Sequence, residues 1–377
     1  MKFSRALTYS ALLTLIILTD VFESSFLCAQ DYYISRDLKF TTRNGNQRNY
    51  EMARIKDLSG EWKFEIGDDS TWAQADIDDG AWDRIKVPSA WEDEGFPGYD
   101  GYAWYRTRFT IDKKHADERI YLYLGYIDDV DEVYLNGYFV GFNGNPPPDV
   151  FLTDSFLRRY LLPVEYINFQ GDNVLAVRVY DHRLLGGITS GKIGLYRIRD
   201  EFKVDLDLSG FWRFKPGDEM DWQDPAYDDS DWERIIVPLN WEMQGYRDLD
   251  GFAWYRKSFR LPPNFSKEKL ILMLGLIDDL DATYLNGHRI GRHGLYGRNE
   301  IRMGNQWVDI RAYYIPENTL NRDGENTLAV RVYDSKVKGG IYDGPIGIVS
   351  KDRYMEWKTE KEDFSFGKFF RFIFGTD

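Results

Sequence analysis

Cysteine is almost absent: Cys28 is the only one in 377 residues. It falls within the first thirty residues, so no intrachain disulfide can form and the rest of the chain has no thiol chemistry. Stability must then come from the size of the hydrophobic core. Histidine is scarce too, with His115, His182, His288 and His293 alone. Asp181-His182 has the form of half a nucleophile triad, yet no Gly-x-Ser-x-Gly elbow accompanies it. His288 and His293 are five apart, which on one strand places them on opposite faces, a poor arrangement for a shared zinc. Positive charge is in deficit, with 48 Lys and Arg against 62 Asp and Glu. The resulting net charge of -14 repels a phosphate backbone, which argues against a nucleic-acid partner.

Long apolar runs are missing as well. Ala11 to Leu18 is far shorter than the ~20 residues of a spanning helix. With Lys2 and Arg5 before it and Ala29 after it, this run reads as an export signal over residues 1–29. The chain is then expected in the periplasm or outside the cell. Leu27 directly before Cys28 argues against lipoprotein anchoring.

Aromatic residues are plentiful: 12 Trp, 26 Tyr and 24 Phe. That is too many for a disordered chain and suits a β-rich core, where flat side chains pack on a pleated surface. Self-comparison shows where they recur. LSGEWKF (58–64) matches LSGFWRF (208–214), VPSAWEDEGF (87–96) matches VPLNWEMQGY (237–246), and DGYAWYRTRF (100–109) matches DGFAWYRKSF (250–259). LGYIDDVDEVYLNG (124–137) matches LGLIDDLDATYLNG (274–287), and DNVLAVRVYD (172–181) matches ENTLAVRVYD (325–334). Gly186-Gly187-Ile188 matches Gly339-Gly340-Ile341, while His182 is replaced by Ser335. The order is kept over about 150 residues, too long for a solenoid repeat. This is a duplicated domain.

The local patterns are strands. Trp62, Phe64 and Ile66 alternate with polar residues, as do Leu175, Val177 and Val179. Residues 120–124 are apolar on both faces and predict a central strand. Asn136-Gly137 and Asn286-Gly287 predict tight primed hairpins, since both residue types tolerate positive φ. Many short strands with turns between them imply an all-β fold of two sandwiches. The expected layout is a lead at 30–52, modules at 53–200 and 201–352, and an aromatic tail at 353–377. The tail's FSFGKFFRFIFG (364–375) reads as an extra strand or packed strip, or as a docking or membrane-surface segment.

The string VPxxWE, GxxWYRxxF, IDDxDxxYLNGxxxG, NxLAVRVYD and GGI resembles the sugar-binding jelly-roll domain of family 2 glycoside hydrolases. It is similar also to the jelly-roll segment of sialate O-acetylesterase-like proteins. The resemblance implies two tandem jelly-roll β-sandwiches of the galactose-binding-domain-like class. In both families the chemistry resides on a separate domain, and no pattern for one occurs here. No residue is therefore assigned a catalytic role.

Candidate ligand contacts come in matched pairs. Trp91, Trp104 and Tyr105, with Trp241, Trp254 and Tyr255, could stack on a sugar's C–H face. Arg106 and Arg256 could clamp a hydroxyl or pair internally with Glu92 and Glu242. Asp128 and Asp129, with Asp278 and Asp279, could accept sugar hydroxyls or bind Ca²⁺. The competing reading is that these carboxylates cap turns, with adjacent Asp side chains diverging across two faces. Burying one Trp contributes up to ~5 kcal/mol, from ~200 Å² at ~25 cal/mol/Å². Trp62, Trp82, Trp212 and Trp232 are accordingly expected in the core. Asp76, Asp78 and Asp79, with Asp228, Asp229 and Asp231, lack the glutamate and flanking helices of a calcium hand. No cofactor is expected, a structural Ca²⁺ apart. The leading functional reading is a non-catalytic glycan-binding or accessory protein. The alternatives are a scaffold for a partner hydrolase, and a glycosidase or carbohydrate esterase.

Overall fold

The computed structural model describes residues 33–35, 39–41, 51–148, 156–199, 201–265, 269–296, 301–302, 309–336 and 339–359. The chain divides into two compact units, one of residues 1–52 with 363–377 and one of residues 53–362. In the first, β1 (Tyr33–Ser35) pairs antiparallel with β2 (Lys39–Thr41). The export signal and the aromatic stretch 364–375 lie outside the described residues.

The second unit holds both modules. In the first module the strands are β3 (Met52–Asp57), β4 (Gly60–Ile66), β5 (Asp83–Val87), β6 (Gly101–Phe109), β7 (Ile120–Asp128), β8 (Val130–Leu135), β9 (Tyr138–Asn143), β10 (Leu157–Leu162), β11 (Asn173–Asp181) and β12 (Gly187–Ile198). They form a four-stranded sheet, β10-β7-β12-β3, and a six-stranded sheet, β5-β4-β6-β11-β8-β9. In the second module follow β13 (Leu206–Asp207), β14 (Gly210–Pro216), β15 (Glu233–Val237), β16 (Gly251–Arg260), β17 (Leu270–Asp278), β18 (Leu280–Leu285), β19 (His288–His293), β20 (Leu295–Tyr296), β21 (Ile301–Arg302), β22 (Ile310–Ile315), β23 (Glu325–Asp334) and β24 (Gly340–Ser350). Its sheets, β13-β24-β17-β22 and β15-β14-β16-β23-β18-β19, repeat the first arrangement, with β20 and β21 pairing separately.

The alternation read from the sequence sets the two faces of the larger sheet. Ala103, Tyr105 and Phe109 of β6 point into the core between the sheets, with Trp62, Phe64, Leu122, Leu124, Val177 and Val179. Trp104 points the other way and is covered from outside by Trp72, Ala73 and Trp82. That covering loop buries a second layer of aromatics, so the six-stranded sheet is apolar on both faces at its centre. The hairpins form as the sequence predicts: Asn136 and Gly137 have φ of 54° and 85°, and Asn286 and Gly287 have 50° and 78°. Asn136 also donates from Nδ2 to Tyr166 O at 2.8 Å and accepts from Val174 N at 2.8 Å, which pins the turn to the next strand pair.

The modules abut. Met243 of the second packs with Ile236 and Leu239 against Phe142, Leu161 and Tyr166 of the first. Arg247 pairs with Glu132 at 2.5 Å and lies 4.1 Å over the Phe142 ring. Arg119 bridges to Asp343 at 2.8 Å. Residues 351–359 form an α-helix, whose Tyr354 and Trp357 pack beside Phe202, Met273 and Val349. Residues 353–359 of the expected tail are thus helical and lie on the second module.

Candidate functional site

Four strand ends meet at one rim of each sandwich. In the first module β6 begins at Gly101, β7 ends at Asp128, β11 ends at Asp181 and β12 begins at Gly187. The register joins them directly, with Gly101 opposite Asp181 and Gly187 opposite Asp128. In the second module Gly251, Asp278, Asp334 and Gly340 occupy the same places. Each rim therefore draws residues from both sheets.

Carboxylates gather there. One oxygen from each of Asp128, Asp129 and Asp181 lies within 4.8 Å of the others, and the same holds for Asp278, Asp279 and Asp334. The neighbouring Asp side chains do not diverge, as strand alternation suggests. The chain crosses between sheets at Asp129, after β7 and before β8, so the alternation stops there; a cis peptide bond joins each pair. Asp129 Oδ2 accepts from His182 N at 2.9 Å, and Asp279 Oδ2 from Ser335 N at 3.1 Å. The backbone makes this bond in both copies, and in the second Ser335 Oγ adds another to Asp279 Oδ2 at 2.8 Å. Glu92 and Glu242 stand close by, accepting from Gly186 N at 3.1 Å and Gly339 N at 2.8 Å.

Burial and neighbouring carboxylates raise the pKa values of Asp181, Glu242, Asp278 and Asp334. Desolvation, reinforced by Asp279, pushes Asp278 up to about 9. Desolvation raises Asp334 to about 7 and Asp181 to about 6. Desolvation likewise raises Glu242 to about 8, in a loop that the first module covers through Met243. Because folding favours protonated Glu242, its contribution is fully present below the unfolded value of 4.5 and is lost as pH rises to about 8. Glu242→Gln is expected to flatten the fall in stability over that window by up to ~1.4 kcal/mol per pH unit. Urea unfolding of both proteins across the window checks this; parallel pH profiles would refute it.

The third acidic residue of each motif has another task. Asp131 accepts from Arg158 Nε at 2.6 Å with both side chains fully buried, and Asp281 accepts from Arg311 Nε at 2.9 Å likewise. Arg158 Nη2 also donates to Ile127 O at 2.8 Å and Asp129 O at 2.7 Å, so the guanidinium holds the backbone on either side of Asp128. Arg311 donates to Asp279 O at 2.7 Å in the second module. The shared pattern Arg158-x-Tyr160-x-x-Pro163 and Arg311-x-Tyr313-x-x-Pro316 carries this signal, 153 residues apart, the offset at which DNVLAVRVYD and ENTLAVRVYD also align.

The other sequence candidates are not brought to the rim as ligand groups. Trp91, Trp104, Tyr105, Trp241, Trp254 and Tyr255 have no exposed surface. A sugar needs an open ring face, and these rings have none. Trp91 packs with Phe64 and Tyr105 in the inner core, while Trp104 stacks on Tyr134 at 5.6 Å on the opposite face. Arg106 and Arg256 are buried beside Trp104 and Trp254 and pair with Asp79 at 3.0 Å and Asp229 at 2.7 Å, not with Glu92 and Glu242. The loop acids are likewise engaged: Asp78 and Asp228 accept from Gly80 N and Ser230 N. Of the candidates, Glu92, Asp128, Asp129, Glu242, Asp278 and Asp279 remain at the rims. Asp181 and Asp334 join them.

The family model described as the β-galactosidase second all-β domain matches residues 67–183 and again 217–336, more than half of the chain. The chain belongs to this family. Its two β-galactosidase all-β domains stand in tandem and are of the kind found in family 2 glycoside hydrolases. A β-galactosidase of Bacteroides ovatus is 28% identical over 166 residues, covering 39% of this chain and 17% of that protein. A β-galactosidase of Vibrio cholerae is 25% identical over 155 residues, covering 32% of this chain and 15% of that protein. The chain thus spans less than a fifth of the length of these relatives. Among solved structures, a β-glucuronidase of Bacteroides uniformis aligns with 76% of this chain and 28% of its own, at 17% identity and a TM-score of 0.33.

Proposed function

We propose that this chain is an exported, non-catalytic accessory protein that binds glycans at the acidic rims of its two β-galactosidase all-β domains. The observation that carries the reading is the retention of the same acids, at the same strand ends, in both copies: Glu92, Asp128, Asp129 and Asp181, matched by Glu242, Asp278, Asp279 and Asp334. Carboxylates accept hydrogen bonds from sugar hydroxyls, and the half-buried Asp128 and Asp278 are the open members common to both copies, with Glu92 half-buried in the first. Relatives named as β-galactosidases point to β-linked hexose chains as the first ligands to try. Among the described residues the elements are strands, six short 3-10 turns and one α-helix.

A glycan-array screen of the full chain, followed by titration calorimetry, tests this. Wild type is expected to bind a β-linked oligosaccharide at micromolar to millimolar strength. Asp128→Asn with Asp278→Asn should weaken that binding at least tenfold, about 1.4 kcal/mol. No glycan ligand on the array, or unchanged affinity in the double variant, would sink the proposal. A second reading, a scaffold for a partner hydrolase, draws on the burial of all four candidate indoles. It expects co-purification of that hydrolase with no glycan bound.

A further inference from the structure

We infer that each module binds one calcium ion at its rim, held by Asp128, Asp129 and Asp181 in the first and by Asp278, Asp279 and Asp334 in the second. The inference goes beyond glycan binding and stands whether or not a sugar binds.

Three observations carry it. The first is spacing. Ca²⁺–oxygen distances are about 2.3–2.6 Å, so ligand oxygens on opposite sides of one ion stand about 4.8 Å apart. The three carboxylate oxygens of each cluster fall within 4.8 Å of one another.

The second is an unmet demand. Asp181 and Asp334 are 0% and 1% exposed. Each uses Oδ1 to cap the following turn, accepting from Arg183 N at 3.0 Å and Lys336 N at 3.2 Å. The other oxygen, Oδ2, is buried in both residues and meets no hydrogen-bond donor. A buried carboxylate oxygen without a partner is costly, and in native proteins such an atom calls for a ligand or ion.

The third is recurrence. Two copies that differ at many positions, His182 against Ser335 among them, keep the same three acids and the same unpartnered oxygen.

Nearby charge does not remove the demand. The buried guanidiniums of Arg158 and Arg311 are held by Asp131 and Asp281 and by backbone carbonyls. The ligand set is all oxygen with no His or Cys, which favours a hard cation over zinc or copper. The half-buried Asp128 and Asp278 give the ion a path to solvent and leave room for water ligands. Calcium, which accepts six to eight oxygens in irregular geometry, fits better than magnesium, which demands a near-ideal octahedron.

Titration calorimetry of the full chain, stripped with EDTA and desalted, tests the inference with CaCl₂ as the probe and no glycan present. Wild type should take up two Ca²⁺ per chain, at about 10⁻⁵–10⁻³ M. Asp181→Asn and Asp334→Asn should each take up one, and the double variant none. The ion retained by each single variant shows that it is folded. Calcium should also raise the melting temperature of wild type by several degrees and leave that of the double variant unmoved. No uptake by wild type, or uptake unchanged in the double variant, overturns the inference. Equal affinity for MgCl₂ overturns the choice of calcium. Glycan-array binding that survives while calcium uptake fails would leave the sugar reading standing alone.

Discussion

Arg158→Met is expected to cost about 3–5 kcal/mol of unfolding free energy. Arg158 and Asp131 are both fully inaccessible, and the pair closes at 2.6 Å. Taking away the cation leaves a buried carboxylate with its desolvation uncompensated, and that penalty dominates. Tyr160 also donates to Asp131, and it receives Asn143 Nδ2 at 2.7 Å, so a four-residue network loses its centre. Replacing both partners with apolar residues, Asp131→Leu with Arg158→Met, should recover most of the loss, because no unpaired charge then remains. Urea unfolding of the single and double variants provides the comparison. A single-variant loss below about 1 kcal/mol would show that the pair is not buried as described.

The same substitution should reach the rim. Arg158 donates to the carbonyls of Ile127 and Asp129, which bracket Asp128. Arg158→Met is therefore expected to weaken ligand or cation uptake in the first module while leaving the second, held by Arg311, intact.

Gly125→Ala should be almost as damaging, at about 3 kcal/mol, from overpacking of ~1–3 kcal/mol added to ~1–2 kcal/mol of left-handed backbone cost. A Cβ there would lie 1.9 Å from Ser190 O and 2.9 Å from its carbonyl carbon, both backbone atoms of the neighbouring strand. The residue has φ of 61° and sits where the β7–β12 register slips between Tyr126 and Leu124. Gly98→Ala separates the two causes. Gly98 has φ of 68°, close to that of Gly125, but a Cβ there meets nothing within 4 Å. It should incur the backbone cost alone, so the difference between the two variants reports the clash. Equal losses in chemical denaturation would mean that β12 moves aside.

Much of the fold was legible in the residues. The Asn-Gly pairs fix the β8–β9 and β18–β19 hairpins because both positions require positive φ. The sequence reads Trp104 and Tyr105 as lying in or beside loops, whereas both stand on β6, Tyr105 inward and Trp104 outward. It does not reveal that a separate loop, residues 70–82, covers the outward face. For that reason Trp104 and Arg106 resemble exposed ligand groups in the sequence and are core residues in the fold. The acidic motif shows the same limit. In Asp128-Asp129-x-Asp131 three carboxylates look alike, yet one is consumed by Arg158 and two face Asp181, more than fifty residues further on.

The sequence by itself determined the duplication, the all-β class, the hairpin turns and the lack of an intrachain disulfide, because these depend on residue type and short-range spacing. Only the tertiary structure decided which aromatics are covered, which aspartate is neutralised and which strand ends share a rim. Those outcomes depend on burial and on partners distant in the chain, which turn identical carboxylates into a salt bridge in one place and part of an acidic cluster in another.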